Sequence, residues 1–150
     1  MQRTLILLKP DCIQRRLIGD IIGRFERKGL RLVGLKFVQA SQDLAEKHYA
    51  VHKGKPFYDS LLKFLTSGPT VALVWEGREA VATARGLMGP TDGTKAPPAT
   101  IRGDFAISVQ NNLVHGSDSV ENAAAEIALW FKPEELVNWT PADAAWVTGG

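Results

Sequence analysis

The apolar residues of this chain come in short runs, none longer than five, set between glycine, proline and charged residues. Such runs suit the strands and helices of a small core and fall far short of the roughly 20 residues that a membrane-spanning helix needs. Leu5 to Leu8 is a continuous apolar run closed by Lys9-Pro10-Asp11, which predicts a buried strand ending in a turn. Leu17, Ile18, Ile21, Ile22 and Phe25 then recur at helical spacing, with Gly29 placed to end the helix. Leu30 to Val38 alternates, with Val33, Leu35 and Phe37 on one face, as a strand does.

The second half continues in the same way. Ser41 is placed to cap a helix through Leu44 to His52. Pro56 suits a first helical position before Phe57, Leu61, Phe64 and Leu65, and Gly68-Pro69 is the stop. Thr70 to Trp75 reads as a strand and Glu79 to Met88 as a helix ended by Gly89-Pro90. Pro90 to Asp104 shows no periodicity and reads as a long irregular loop, a feature that is often functional. A last short strand is expected within Ala106 to Val114. Val120 to Phe131 reads as a helix capped by Asp118 or Ser119, followed by a turn at Pro133 to Val137 and an extended tail. The order predicts a single α+β domain of ferredoxin-like βαββαβ layout, a four-stranded antiparallel sheet with helices packed on one face. A doubly wound parallel sheet is the alternative, for which 150 residues is short.

Composition narrows the function classes. Eighteen Lys plus Arg against sixteen Asp plus Glu gives a net charge of +2, too small to mark a nucleic-acid binder. One cysteine, Cys12, rules out an internal disulfide and fits a reducing compartment. The N-terminal MQRTLILLKPD has too short an apolar run for a secretory leader, so the expected location is the cytoplasm.

No P-loop, dinucleotide fingerprint or protein-kinase triplet is present. His48 and His52 have a metal-ligand spacing, but no H-E-x-x-H frame and no third soft ligand accompany them. They read as two polar residues on one helix face. His115 is different. Gly116 beside it allows close approach to the backbone, and Ser117 to Ser119 lead into a helix N-terminus, which attracts anions. Neutral imidazole beside an anion site suits phosphoryl chemistry. Lys9, Arg85 and Arg102 stand near turn signals and offer positive charge.

TLILLKPD, HYAVHKGKPF, SGPTVALVWEG, TIRGDF and NLVHGSDSVENAAAEIALWFKPEEL together resemble the nucleoside diphosphate kinase family, over essentially the whole chain. The N-x-x-H-G-S-D-S stretch is highly specific to it. The resemblance implies transfer of the terminal phosphate of a nucleoside triphosphate to a nucleoside diphosphate. The route is ping-pong, through a phosphohistidine, with Mg2+ carried on the nucleotide. By the same resemblance His115 is the phosphorylated residue, Glu126 holds its other ring nitrogen, and Ser117 bonds near both. Lys9 and Tyr49 stand beside the transferring phosphate, and Arg85, Thr91 and Arg102 are phosphate ligands. Lys9 and Asn112 reach the ribose, and Phe57 and Val109 flank the base. From spacing alone Phe57 reads instead as core. Base recognition by an aromatic face implies a broad nucleoside range.

The resemblance also implies a homo-oligomer, a hexamer on the evidence of the long tail with Trp139 and Trp146, with tetramers in some bacterial members. A non-catalytic binding module is the competing class, and it would have lost one of these groups. Three positions depart from the family pattern: Cys12 after KPD, Gln110-Asn111 before the asparagine, and Ala99 where glycine is common.

Overall fold

The computed structural model describes residues 1–149. Its centre is a four-stranded sheet made of β1 (Gln2–Leu8), β2 (Arg31–Val38), β3 (Thr70–Gly77) and β4 (Val114–Gly116), in the order β2-β3-β1-β4. Every pairing is antiparallel. β1 and β3 pair without a break from Gln2↔Gly77 to Leu8↔Val71. The helices are α1 (Pro10–Gln14), α2 (Ile18–Lys28), α3 (Gln42–His48), α4 (Tyr58–Thr66), α5 (Ala80–Met88), α6 (Ile101–Phe105), α7 (Val120–Trp130) and α8 (Ala144–Thr148).

Both faces of the sheet are covered, not one. Ile6, Leu8, Leu73 and Trp75 pack with Ile21 and Phe25 of α2 and with Ala80, Ala84 and Met88 of α5. Leu5, Leu7, Ala72 and Val74 pack on the other side with Ala45 of α3, Leu62 and Leu65 of α4 and Trp130 of α7. This is why LILL and VALVW are continuous and not alternating: successive side chains enter two different cores. Phe25 and Trp75 stack with ring centroids 5.5 Å apart at the middle of the first core.

Local signals explain most boundaries. Gly29 ends α2 in the left-handed conformation at φ 104°, and its amide bonds to the carbonyls of Phe25 and Glu26. The Ser41 side chain accepts from the Leu44 amide and caps α3, and Ser119 does the same for α7 through Asn122. Other expectations are corrected. The helix after Ser41 stops at His48 and continues only as a 3₁₀ turn over Ala50–His52. Pro56 precedes α4, whose first residue is Tyr58. The turn at Pro10 is itself a short helix with proline in its first position.

The stretch from Pro90 to Asp104 contains a 3₁₀ turn at Gly93–Lys95 and the start of α6. Ala99, the position where the family commonly has glycine, has φ 77°, which L side chains resist. β4 lies at Val114–Gly116, sharing only Val114 with the span expected for it, and the tail forms α8. A bulge between Leu32 and Gly34 interrupts the pairing of β2. Val33, within the bulge, stays buried, while beyond it Leu35 and Phe37, expected on the same face, are exposed on an edge strand.

Candidate active site

β4 brings His115 to the sheet edge next to β1, paired with Leu7. Behind it α7 presents Glu126. His115 Nε2 lies 3.0 Å from Glu126 Oε2, and the Ser117 hydroxyl donates to Glu126 Oε1 at 2.6 Å. Ser117 in turn accepts from the Leu5 amide, which ties the group to the central strand. Burial pushes the Glu126 carboxyl up, but the hydrogen bond and charge of His115 with the Ser117 hydroxyl outweigh it and hold the acid below its usual range. An ionised Glu126 only accepts, so in the neutral ring Nε2 carries the proton and Nδ1 the lone pair.

His115 opens onto a cavity of about 810 Å³. Lys9, Tyr49, Phe57, Arg85, Thr91, Arg102, Val109, Asn112 and Glu126 also line it, and Ser117 sits buried behind Glu126. The structure therefore gathers at one place the residues to which the resemblance gives a role in the transfer. Phe57 and Val109 are exposed at 45% and 58%, so Phe57 is not a core residue. Arg85 reaches the Gly116 carbonyl at 3.2 Å.

Lys9 is buried at the end of β1, with its Nζ 2.5 Å from Asn112 Oδ1. Its pKa falls from 10.5 to about 8, chiefly through burial, with the Asp11 charge opposing and the Arg102 guanidinium adding to the fall. Arg102 is also buried, and its pKa falls to about 10 through burial and then through Arg85. Its Nε, Nη1 and Nη2 donate to the carbonyls of Asn112, Gly89 and Val114. Burial drives Tyr49 up to about 12, with Glu126 adding to it.

Two sequence readings change. Gly116 is needed by the core: a Cβ there would stand 2.8 Å from Met88 Sδ and 3.1 Å from Ile6. His48 and His52 do not share a helix face, because α3 ends between them. His48 instead lies edge-on to His115, with centroids 4.6 Å apart, and faces the cavity. Burial first, then the charge of His115, lowers its pKa to about 3, so it is neutral. Trp130 Nε1 donates to its Nδ1 at 3.2 Å, which leaves the proton on Nε2. Nothing in the sequence pointed to this contact, because it joins α3 to α7 across the fold. Cys12 is fully buried and its thiol is pushed up to about 12, which makes it inert.

The donor atoms of His48, His115 and Glu126 lie within 4.8 Å of one another. The set does not suit magnesium, which prefers oxygen in an octahedron. Two members are imidazoles, His48 offers an N–H, and Glu126 is already engaged. These three groups therefore do not form a magnesium cage.

Cations, an aromatic wall and a carboxylate-held imidazole around one cavity make a phosphate-handling site. Comparison with known proteins agrees. Residues 2–136 match the family model described as nucleoside diphosphate kinase. A nucleoside diphosphate kinase of Synechococcus sp. (strain JA-3-3Ab) is 58% identical over 147 residues, 98% of this chain and 99% of that one. That of Carboxydothermus hydrogenoformans is 57% identical over the same shares. Among solved structures, a nucleoside diphosphate kinase family protein from Babesia bovis matches with a TM-score of 0.96 and 46% identity, covering 98% of this chain and 99% of that one. A halophilic nucleoside diphosphate kinase from Halobacterium salinarum, solved in complex with CDP, matches with a TM-score of 0.95 and 50% identity over 97% of each chain. The chain belongs to the nucleoside diphosphate kinase family.

Proposed function

We propose that this enzyme moves the terminal phosphoryl group of a nucleoside triphosphate to a nucleoside diphosphate through a phosphohistidine at His115. The observation that carries the reading is the bond from Glu126 to Nε2, which leaves Nδ1 as a nucleophile at the cavity wall. Nδ1 attacks the terminal phosphorus, the bridging P–O bond breaks, and the diphosphate leaves with the electron pair. The ring gains positive charge as the N–P bond forms, and Glu126 offsets it. A terminal oxygen of the second diphosphate then attacks phosphorus, the N–P bond breaks, and the imidazole returns.

Catalysis of this transfer is mainly positioning and electrostatics. Lys9, Arg85 and Arg102 supply the positive charge, with Tyr49 and Thr91 as phosphate partners. Lys9 and Asn112 serve the ribose hydroxyls, and Phe57 and Val109 hold the base between them. A Mg2+ ion carried on the nucleotide would offset phosphate charge beside Lys9, Arg85 and Arg102. CDP bound to the halophilic relative is consistent with a diphosphate substrate. Initial rates with both nucleotides varied should give parallel double-reciprocal lines, as a ping-pong route requires. Intersecting lines would mean direct transfer and refute the phosphohistidine.

The working form is a homo-oligomer, and a hexamer suits the exposed apolar groups. Leu35 and Phe37 stand exposed on the edge strand β2, and Trp146 is 92% exposed on α8. Light scattering that returns a monomer or a dimer would overturn this. Among the described residues no helix is long and apolar enough to cross a membrane. A cytoplasmic location suits substrates of this kind, and fractionation of cells tests it.

A further inference from the structure

The segment that carries Asn112 and His115 turns at a strained residue. Leu113 has φ 74°, is fully buried, and is not glycine. The Val114 amide donates to the Asn112 carbonyl at 2.8 Å, which closes a γ-turn of the rare positive-φ kind around Leu113. Such a conformation persists only where its surroundings over-determine it. Here they do. The Leu113 carbonyl accepts from the Lys9 amide at 2.9 Å. Arg102 donates to the carbonyls of Asn112 and Val114, on either side of the turn. The Leu113 amide is then the donor at the turn's apex, and Asp11 Oδ2 accepts it at 3.0 Å.

We propose that Asp11 is a positioning residue for phosphoryl transfer: its carboxylate holds the left-handed turn at Leu113 that sets Asn112 and His115 toward the cavity. Asp11 lies on α1, two residues after Lys9 at that helix's N-cap, so the turn that delivers the lysine also fixes the histidine segment. The other carboxylate oxygen, Oδ1, is buried and has no hydrogen-bond partner. A carboxylate oxygen buried without a partner is unfavourable for stability by itself. Its retention at the turn fits a role in geometry. The proposal rests on His115 being the reacting group.

The test compares Asp11→Ala and Asp11→Asn with the unaltered enzyme in steady-state nucleoside diphosphate kinase turnover at about pH 6.5. Both variants lose the Asp11 charge and so lower the Lys9 pKa alike, and at this pH, well below about 8, the comparison between them isolates the hydrogen bond to Leu113. Asp11→Ala leaves the Leu113 amide unheld, and kcat should fall about 10- to 100-fold per folded molecule. KM should change much less, because the nucleotide is not touched by Asp11. Asp11→Asn keeps an acceptor and should recover most of the rate.

Full turnover by Asp11→Ala, with only a lowered melting temperature, would overturn the proposal. So would an Asp11→Asn enzyme as slow as Asp11→Ala. Should Asp11→Ala fail to fold, amide hydrogen exchange of the unaltered chain decides the question. A protected Leu113 amide supports the clamp and a freely exchanging one refutes it. Failure of His115 as the acceptor would show in the unaltered enzyme as no phosphoryl gain on that residue. Failure of the clamp would show only in the Asp11 series.

Discussion

β1 and β4 lie side by side in one sheet, yet they are built on opposite terms. β1 runs seven residues, pairs with β3 in unbroken register and buries leucine and isoleucine into two cores. β4 has three residues, follows a left-handed turn, and is surrounded by the buried polar groups Lys9, Arg102, Asn112 and Ser117. The regular strand is where apolar burial stabilises the fold. The short one is where stability is given up to hold charge and strain in a fixed geometry. The difference teaches that the site borrows its rigidity from its neighbour. Ser117 bonds to Leu5, and Lys9 is the residue immediately after β1.

Four changes would break or sharpen this contrast. Phe25→Ala empties the middle of the first core and should destabilise the fold by about 3–5 kcal/mol. Urea denaturation measures it, and turnover per folded molecule should stay near that of the unaltered enzyme. Glu126→Ala acts on the other region. It strips His115 Nε2 and the Ser117 hydroxyl of their partner, and turnover should fall roughly 10- to 100-fold with a smaller change in the urea midpoint.

The pH dependence separates the two regions by sign. Lys9 titrates at about 8 in the fold and at 10.5 when exposed. The unfolded chain therefore binds more protons between those values, so this group's contribution to stability rises with pH across the window. Activity should do the reverse, with kcat/KM falling above about pH 8 as Lys9 loses its charge. Lys9→Arg should remove that limb of the profile. The smallest effect is expected at Ala99, where φ is 77°. Ala99→Gly relieves the strain and should stabilise by about 1 kcal/mol, read as a higher urea midpoint with no change in rate.

The same contrast decides what sequence could reveal. Core strands and long helices announce themselves through apolar periodicity and caps, as β1, β3, α2 and α7 do. The reactive segment does not. β4 was expected within Ala106 to Val114 because its three residues carry no pattern of their own, and its pairing is set by β1 and the Leu113 turn. The site residues could be named through family resemblance, since His115, Glu126 and Ser117 stand in a specific string. Spacing by itself assigns Phe57 to the core. His48 and Asp11 were legible in neither way. Their partners, Trp130 and Leu113, lie 82 and 102 residues away, and only the packing of α7 and the turn before β4 against the N-terminal elements brings them close.

The central claim is that His115 carries the phosphoryl group between nucleotides. The most direct measurement is the intact mass of the protein after brief exposure to Mg-ATP, before and after addition of GDP. The account predicts a gain of one phosphoryl group that GDP removes and that His115→Ala never shows. A chain that turns over nucleotides without any such gain, or that still gains it after His115→Ala, would contradict the account.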